Sequence, residues 1–164
     1  MTFVPDTFAD GPAGATPITA AKLNNVETGV SQIYSAWAAY TPTVTGITLG
    51  NGTVLGRYRL VGKTVNGMIE CTLGSTTTMV GIPTFTLPPV NAPLNATGGR
   101  SAKVIFFDTS ATQYYAGVCI LTSTTALAGI HTSASGLLAA TSATAPFTWA
   151  TGDKINIDFM YEIS

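Results

Sequence analysis

The search for chemistry begins with the single histidine, His131, since a Ser-His-Asp or Cys-His arrangement needs an imidazole to carry the proton. Nothing in the sequence marks a nucleophile to go with it: there is no GxSxG and no reactive-cysteine signature. Cys71 and Cys119 each sit among apolar residues, without CxxC spacing or a histidine cluster that would make a metal site. They are expected to be buried free thiols, with a disulfide between them as the alternative. The eight acidic residues are dispersed and contain no DxDxDG calcium loop. Asp108, Asp153 and Asp158 could converge as paired acids only through folding, and turn or solvent-face roles are expected for them. The glycines of "GNGTVLG" lack the Lys-Ser/Thr of a phosphate loop and lead into a strand, not a helix. No enzyme, cofactor or metal is therefore expected.

The polar cluster that stands out is Arg57-Tyr58-Arg59. Strand alternation puts both guanidinium groups on one face, where they could bind an acidic sugar or an acidic neighbouring subunit. Tyr114, Tyr115, Trp149 and Tyr161 could form a carbohydrate platform, but core positions are expected for them.

Charged residues make up 9% of the 164-residue chain, against roughly 25% in an ordinary globular protein. Hydrophobic residues make up 46%. Either Thr, Ser, Asn and Gly cover the surface, or much of that surface is hidden against other chains. Net charge is −1 and the seven Lys and Arg are scattered, which argues against a nucleic-acid partner and against a polybasic membrane anchor. Apolar runs such as "VIFF" and "VCIL" are far too short to span a bilayer, and "MTFVPDTFADG" does not have the pattern of a secretory signal.

Two units are expected: residues 1–40 as an arm and a helix, and residues 41–164 as a β-domain. The arm, 1–15, is rich in Pro, Gly and Asp, with Phe3, Val4 and Phe8 as large apolar side chains. Period-two alternation follows in "TVLGRYRLV" and "TVNGMIECTL", with a two-residue hairpin turn at Gly62–Lys63. Further strands are expected at 84–87, 102–108, 113–121, 126–131 and 147–149. The last, "KINIDFMYEI", places Ile155, Ile157, Phe159, Tyr161 and Ile163 inward. About eight short strands with Thr/Gly/Pro turns predict a mainly β fold, an antiparallel jelly-roll-like sandwich. Residues 87–100 read as one long loop.

Ahead of the strands, "TPITAAKLNNVETGVSQIYSAW" predicts a helix over 16–37, N-capped by Thr16 with Pro17 in the first turn. Leu23, Val26, Val30, Ile33 and Trp37 are spaced three, four, three, four, a narrow seam of a and d positions. A helix docked on its own domain usually has a broader stripe. β-Branched residues at both d positions, Val26 and Ile33, lean towards trimers. So short a coil needs a β-domain that trimerises with it.

The stretch "DGPAGATPITAAKLNNVETGVS" resembles a segment near the N-termini of tailed-bacteriophage virion structural proteins, with the pattern G-x-T-P-[IL]-x-A-x-x-L-N-x-[MV]-E-x-G. It matches at Gly14, Thr16, Pro17, Ile18, Ala20, Leu23, Asn24, Val26, Glu27 and Gly29. "WAAYTPTVTG" and "FTWATGDKINIDFMYEIS" look like the β-domains of phage fibres and decoration proteins. The resemblance implies a homotrimer in the virion, with its arm gripping the major capsid protein or another virion protein through Phe3, Val4 and Phe8. The expected role is a capsid-decoration protein or short head fibre. The alternatives are a short tail-fibre or baseplate protein recognising host-surface glycan, and a non-viral lectin-like module.

Overall fold

The computed structural model describes residues 20–33, 35–90, 101–133 and 135–163. The expected N-cap at Thr16 and the arm residues Phe3, Val4 and Phe8 lie outside them. Among the described residues one helix, α1 (Ala20–Ile33), precedes ten strands: β1 (Ala38–Tyr40), β2 (Val44–Thr48), β3 (Thr53–Val61), β4 (Thr64–Thr72) and β5 (Thr78–Thr86), then β6 (Ser101–Asp108), β7 (Gln113–Ser123), β8 (Ala126–Thr132), β9 (Leu138–Ala140) and β10 (Lys154–Glu162).

All the strands belong to one antiparallel sheet, in the order β1-β3-β4-β10-β6-β7-β8-β5-β2, with β9 added beside β8. The sheet curls into a half-barrel around its buried face. Its two ends are consecutive in the chain: β1 and β2 are joined by Thr41, Pro42 and Thr43, which bounds how far apart those ends can stand. Across the gap, the Tyr40 hydroxyl donates to the Thr86 carbonyl at 3.4 Å, and the Thr43 N–H to Thr86 Oγ1 at 2.9 Å. The mainly β, antiparallel expectation holds; the jelly-roll connectivity is not shown, because the ladder runs through one sheet with the C-terminal strand in its middle.

The hairpin expected at Gly62–Lys63 forms as read, with Val61 opposite Thr64. Gly62 has φ +58°, as the first central residue of a two-residue turn of the II′ kind requires. The alternation read for β3, β4 and β10 also holds. Val54, Val65, Ile69, Cys71, Ile155, Ile157, Phe159 and Tyr161 all lie in the core, together with Phe85 and with Phe106 and Val104, the register neighbours of Ile155 and Ile157.

Three local expectations need correction. The helix ends at Ile33, so Trp37 is not its last seam position; residues 35–37 run irregularly into β1, which must be extended to pair with Gly56, Arg57 and Tyr58. Residues 147–149 form no strand. The Trp149 Nε1–H donates to the Ser142 carbonyl at 2.9 Å, and the Phe147 ring packs on Tyr115 and Trp149, so this segment plugs the core with rings instead of joining the ladder. β5 begins at Thr78, earlier than expected. Its Pro83 cannot donate to a ladder, and opposite it β2 bulges at Gly46, where φ is +75° and a Cβ would stand 2.0 Å from the Ile82 carbonyl oxygen.

Candidate interaction surface

The seam side chains on α1 are not covered by the β-domain. Leu23, Val26, Val30 and Ile33 are 54%, 50%, 46% and 61% exposed, and the helix adds nothing to the buried core. At about 1.5 Å per residue, the 14-residue helix carries this stripe for about 20 Å. Apolar surface left in water costs about 25 cal/mol per Å², so the stripe is a candidate interaction surface.

The link from helix to sheet is specific. The Ser35 hydroxyl donates to the Leu60 carbonyl on the open edge of β3. The Arg59 guanidinium stands over the Trp37 ring, 5.3 Å from its centroid. This cation–π contact places Trp37, 41% exposed, beside the outer face of β3. Trp37 therefore joins the helix stripe to the sheet surface, although it is not helical.

On that outer face, register fixes who stands beside whom. Arg57, Met68 and Asp158 share one row across β3, β4 and β10; Arg59, Asn66 and Met160 share the next; Leu55, Glu70 and Asn156 share the row on the other side. A groove of about 710 Å³ opens here, lined chiefly by Leu55, Arg57, Met68, Glu70, Asn156 and Asp158. Glu70 is committed to Lys154 at 3.3 Å, an exposed ion pair of little weight. Arg57 and Asp158 have no ion pair or hydrogen bond among the described residues, and neither does Lys103, which stands opposite Asp158 on β6. Leu55 at 65% and Met160 at 67% exposure keep the face apolar between its charges.

The remaining candidate residues are dispersed. His131 lies in β8, opposite Gly117 and Ala139. Cys71 and Cys119 are free and fully buried, and burial pushes their thiols up to about 11 and about 12. The Asp153 carboxylate accepts the N–H groups of Thr109 and Ala150 at 2.9 and 2.7 Å, tying two turns together. Asp108 accepts the Ala111 N–H at 3.0 Å and the Ser110 hydroxyl at 2.7 Å, and these bonds hold its carboxyl below the usual range. Asp158 is exposed on the outer face, far from both roles. No group of three His, Cys, Asp or Glu residues suited to a metal occurs among the described residues. No described helix is long and apolar enough to cross a membrane.

Of the aromatic residues, Tyr161 is core, Tyr115 and Trp149 pack against the core, and Tyr114 is exposed and stacked on Phe107 at 4.6 Å. Tyr161 is pushed up to about 12 by burial and by its neighbour Tyr58. Its hydroxyl has no hydrogen-bond partner among the described residues. A smaller cavity of about 150 Å³ lies beside it, between 86–90 and Thr124–Thr125.

Comparison with known proteins adds no assignment: no family model matches the chain, and no curated protein or solved structure shows significant similarity to it.

The joint that brings Trp37 to Arg59 was not legible in the sequence, which placed both residues in separate units. No local pattern signals it, because it depends on β1 pairing with β3, and β1 itself is not legible as a strand.

Proposed function

We propose that the protein is a structural component of a tailed-bacteriophage virion, most simply a homotrimeric capsid-decoration or head-fibre protein. The observation that carries this reading is the bare stripe of Leu23, Val26, Val30 and Ile33 on α1, at a and d spacing and outside the buried core of the described residues. Such a stripe suits two sister helices, and the compact β half-barrel behind it suits an outward-facing head. The N-terminal pattern from Gly14 to Gly29 supports the virion setting, through its resemblance to arms that attach such proteins to particles. Low charge and abundant apolar surface fit a chain that hides part of itself against others. In this reading the work is assembly, with Phe3, Val4 and Phe8 gripping the particle.

Two measurements test it. Sedimentation equilibrium of the recombinant chain at micromolar concentration should give three times the 16.9 kDa protomer mass; a stable monomer removes the helix argument. Gold labelling of the parent particles should place many copies over the head. A few copies at the tail tip would move the protein to the tail-fibre or baseplate class, and no label on particles would end the virion reading.

A further inference from the structure

We infer that the outer face of β3, β4 and β10 is a second contact between copies of this chain, in which the basic flank of one copy meets the acidic flank of the next. The inference rests on the trimer reading and extends it from the helix to the β-domain.

The face is polarised across its width. β3 presents Arg57 and Arg59, and β10 presents Asp158 and Glu162, all exposed; Lys154 on β10 and Glu70 on β4, also on this face, are paired with each other at 3.3 Å and leave the unpaired charges divided between the two flanks. β4 lies between them and presents Met68 and Asn66. With strands about 4.8 Å apart, the basic and acidic strips stand roughly 10 Å apart on one surface. Of Arg57, Arg59, Asp158 and Glu162, only Arg59, which stands over Trp37, has a partner among the described residues. Lys103, beside Asp158 on β6, is the nearest opposing charge on that flank and makes no ion pair with it.

A face turned towards a threefold axis touches one neighbour with one flank and the other neighbour with the opposite flank. Head-to-tail contact then requires two different, complementary strips on each copy, not one self-complementary patch. A basic β3 and an acidic β10, separated by apolar Met68 with Leu55 and Met160 beside it, meet that requirement. The contact also completes the helix stripe. Ser35 and Trp37 hold the end of α1 to β3, so the apolar path runs from Ile33 through Trp37 to Leu55, Met68 and Met160. A ring built on both elements buries that path in one continuous interface and fills the groove beside Arg57 with protein.

Charge reversal with compensation tests this on the full chain. Arg57→Glu with Arg59→Glu should weaken trimer formation at least tenfold in sedimentation equilibrium, and so should Asp158→Lys with Glu162→Lys. The fourfold variant carrying all these changes should regain the trimer, because the strips are again complementary with their signs exchanged. Circular dichroism must show the same β signal in each; for any variant that fails this check, Arg57→Gln with Arg59→Gln and Asp158→Asn with Glu162→Gln replace it, with the same loss expected. A wild-type trimer whose variants all stay trimeric overturns this contact and leaves the helix trimer standing. A wild-type monomer overturns both readings. A wild-type dimer, with variants that dissociate, shows a twofold pairing of the same face and overturns the head-to-tail ring.

Discussion

The ring of Phe159 lies against Gly67 so closely that a Cβ on Gly67 would stand 2.1 Å from the ring's Cζ. The two residues face each other in register, β10 against β4, on the inner side of the sheet. Tyr40 covers Gly56 in the same way on the neighbouring strand pair, at 2.3 Å. Each glycine gives up a side chain, and a large ring of the paired strand occupies the space. The Phe159 ring cannot simply swing aside, because it is buried and stacks with Tyr161 at 6.0 Å. Gly67→Ala should therefore overpack the core and destabilise the chain by about 1–3 kcal/mol. Urea denaturation measures this directly, and an unchanged midpoint would show that the ring has room to move.

The Trp37–Arg59 contact predicts a smaller effect of a different kind. An exposed cation–π pair is worth about 0.5–1 kcal/mol. A double-mutant cycle with Trp37→Ala and Arg59→Ala should return a coupling in that range. If the chain forms the proposed trimer, the cycle run on its dissociation should show the same coupling as the cycle run on unfolding, since the pair joins the helix to the sheet. Additive single effects would mean that the two side chains touch without interacting.

The readable parts of the sequence were those where one strand shows its inner and outer face in strict alternation. β3, β4 and β10 each do so, and their core residues and the Gly62 turn could be named from spacing alone. β1 and β2 were illegible because "AAYTPTVTGITLG" contains Pro42 and Gly46, both of which read as breakers. The structure uses Pro42 in the short link between the sheet's two ends and Gly46 at a bulge opposite Pro83. Strand order was also beyond reach. It depends on β10 pairing with both β4 and β6, contacts separated by more than 40 residues, and no local pattern encodes them. The helix stripe was visible as a pattern, yet its end was misplaced, because Trp37 fits helical spacing as well as it fits a ring lying under Arg59. The outer-face groove was half visible: Arg57 and Arg59 stood out, but Asp158 joins them only through register.

Asp108 predicts a pH effect. The Ala111 N–H and the Ser110 hydroxyl favour its ionised form, so its carboxyl in the folded chain titrates below the unfolded value of about 3.9. A depressed folded value means that the contribution is present above the unfolded value and is lost as pH falls through the folded one. Stability followed from pH 6 down to pH 2 should fall in the acid range for the native sequence, and less steeply for Asp108→Asn, whose side-chain oxygen still accepts the Ala111 N–H. Parallel curves would show that other carboxyls carry the acid sensitivity.

The two thiols test how tightly the half-barrel is closed. Cys71 lies in β4 and Cys119 in β7, both fully buried and both pushed well above the ordinary thiol value by that burial. At pH 8 very little of either is thiolate, and the thiolate is the form that attacks a disulfide reagent. Reaction then requires the strands to open, and its rate reports that opening and not the intrinsic chemistry. Treatment with an aromatic disulfide reagent should modify neither cysteine on the timescale of minutes in native buffer, and both within seconds in concentrated guanidinium. If β7 and β8 open as a unit, Cys119 should react before Cys71 at intermediate denaturant; simultaneous reaction would mean that the sheet opens only as a whole. A cysteine that reacts at once in native buffer would show that its part of the core is not closed.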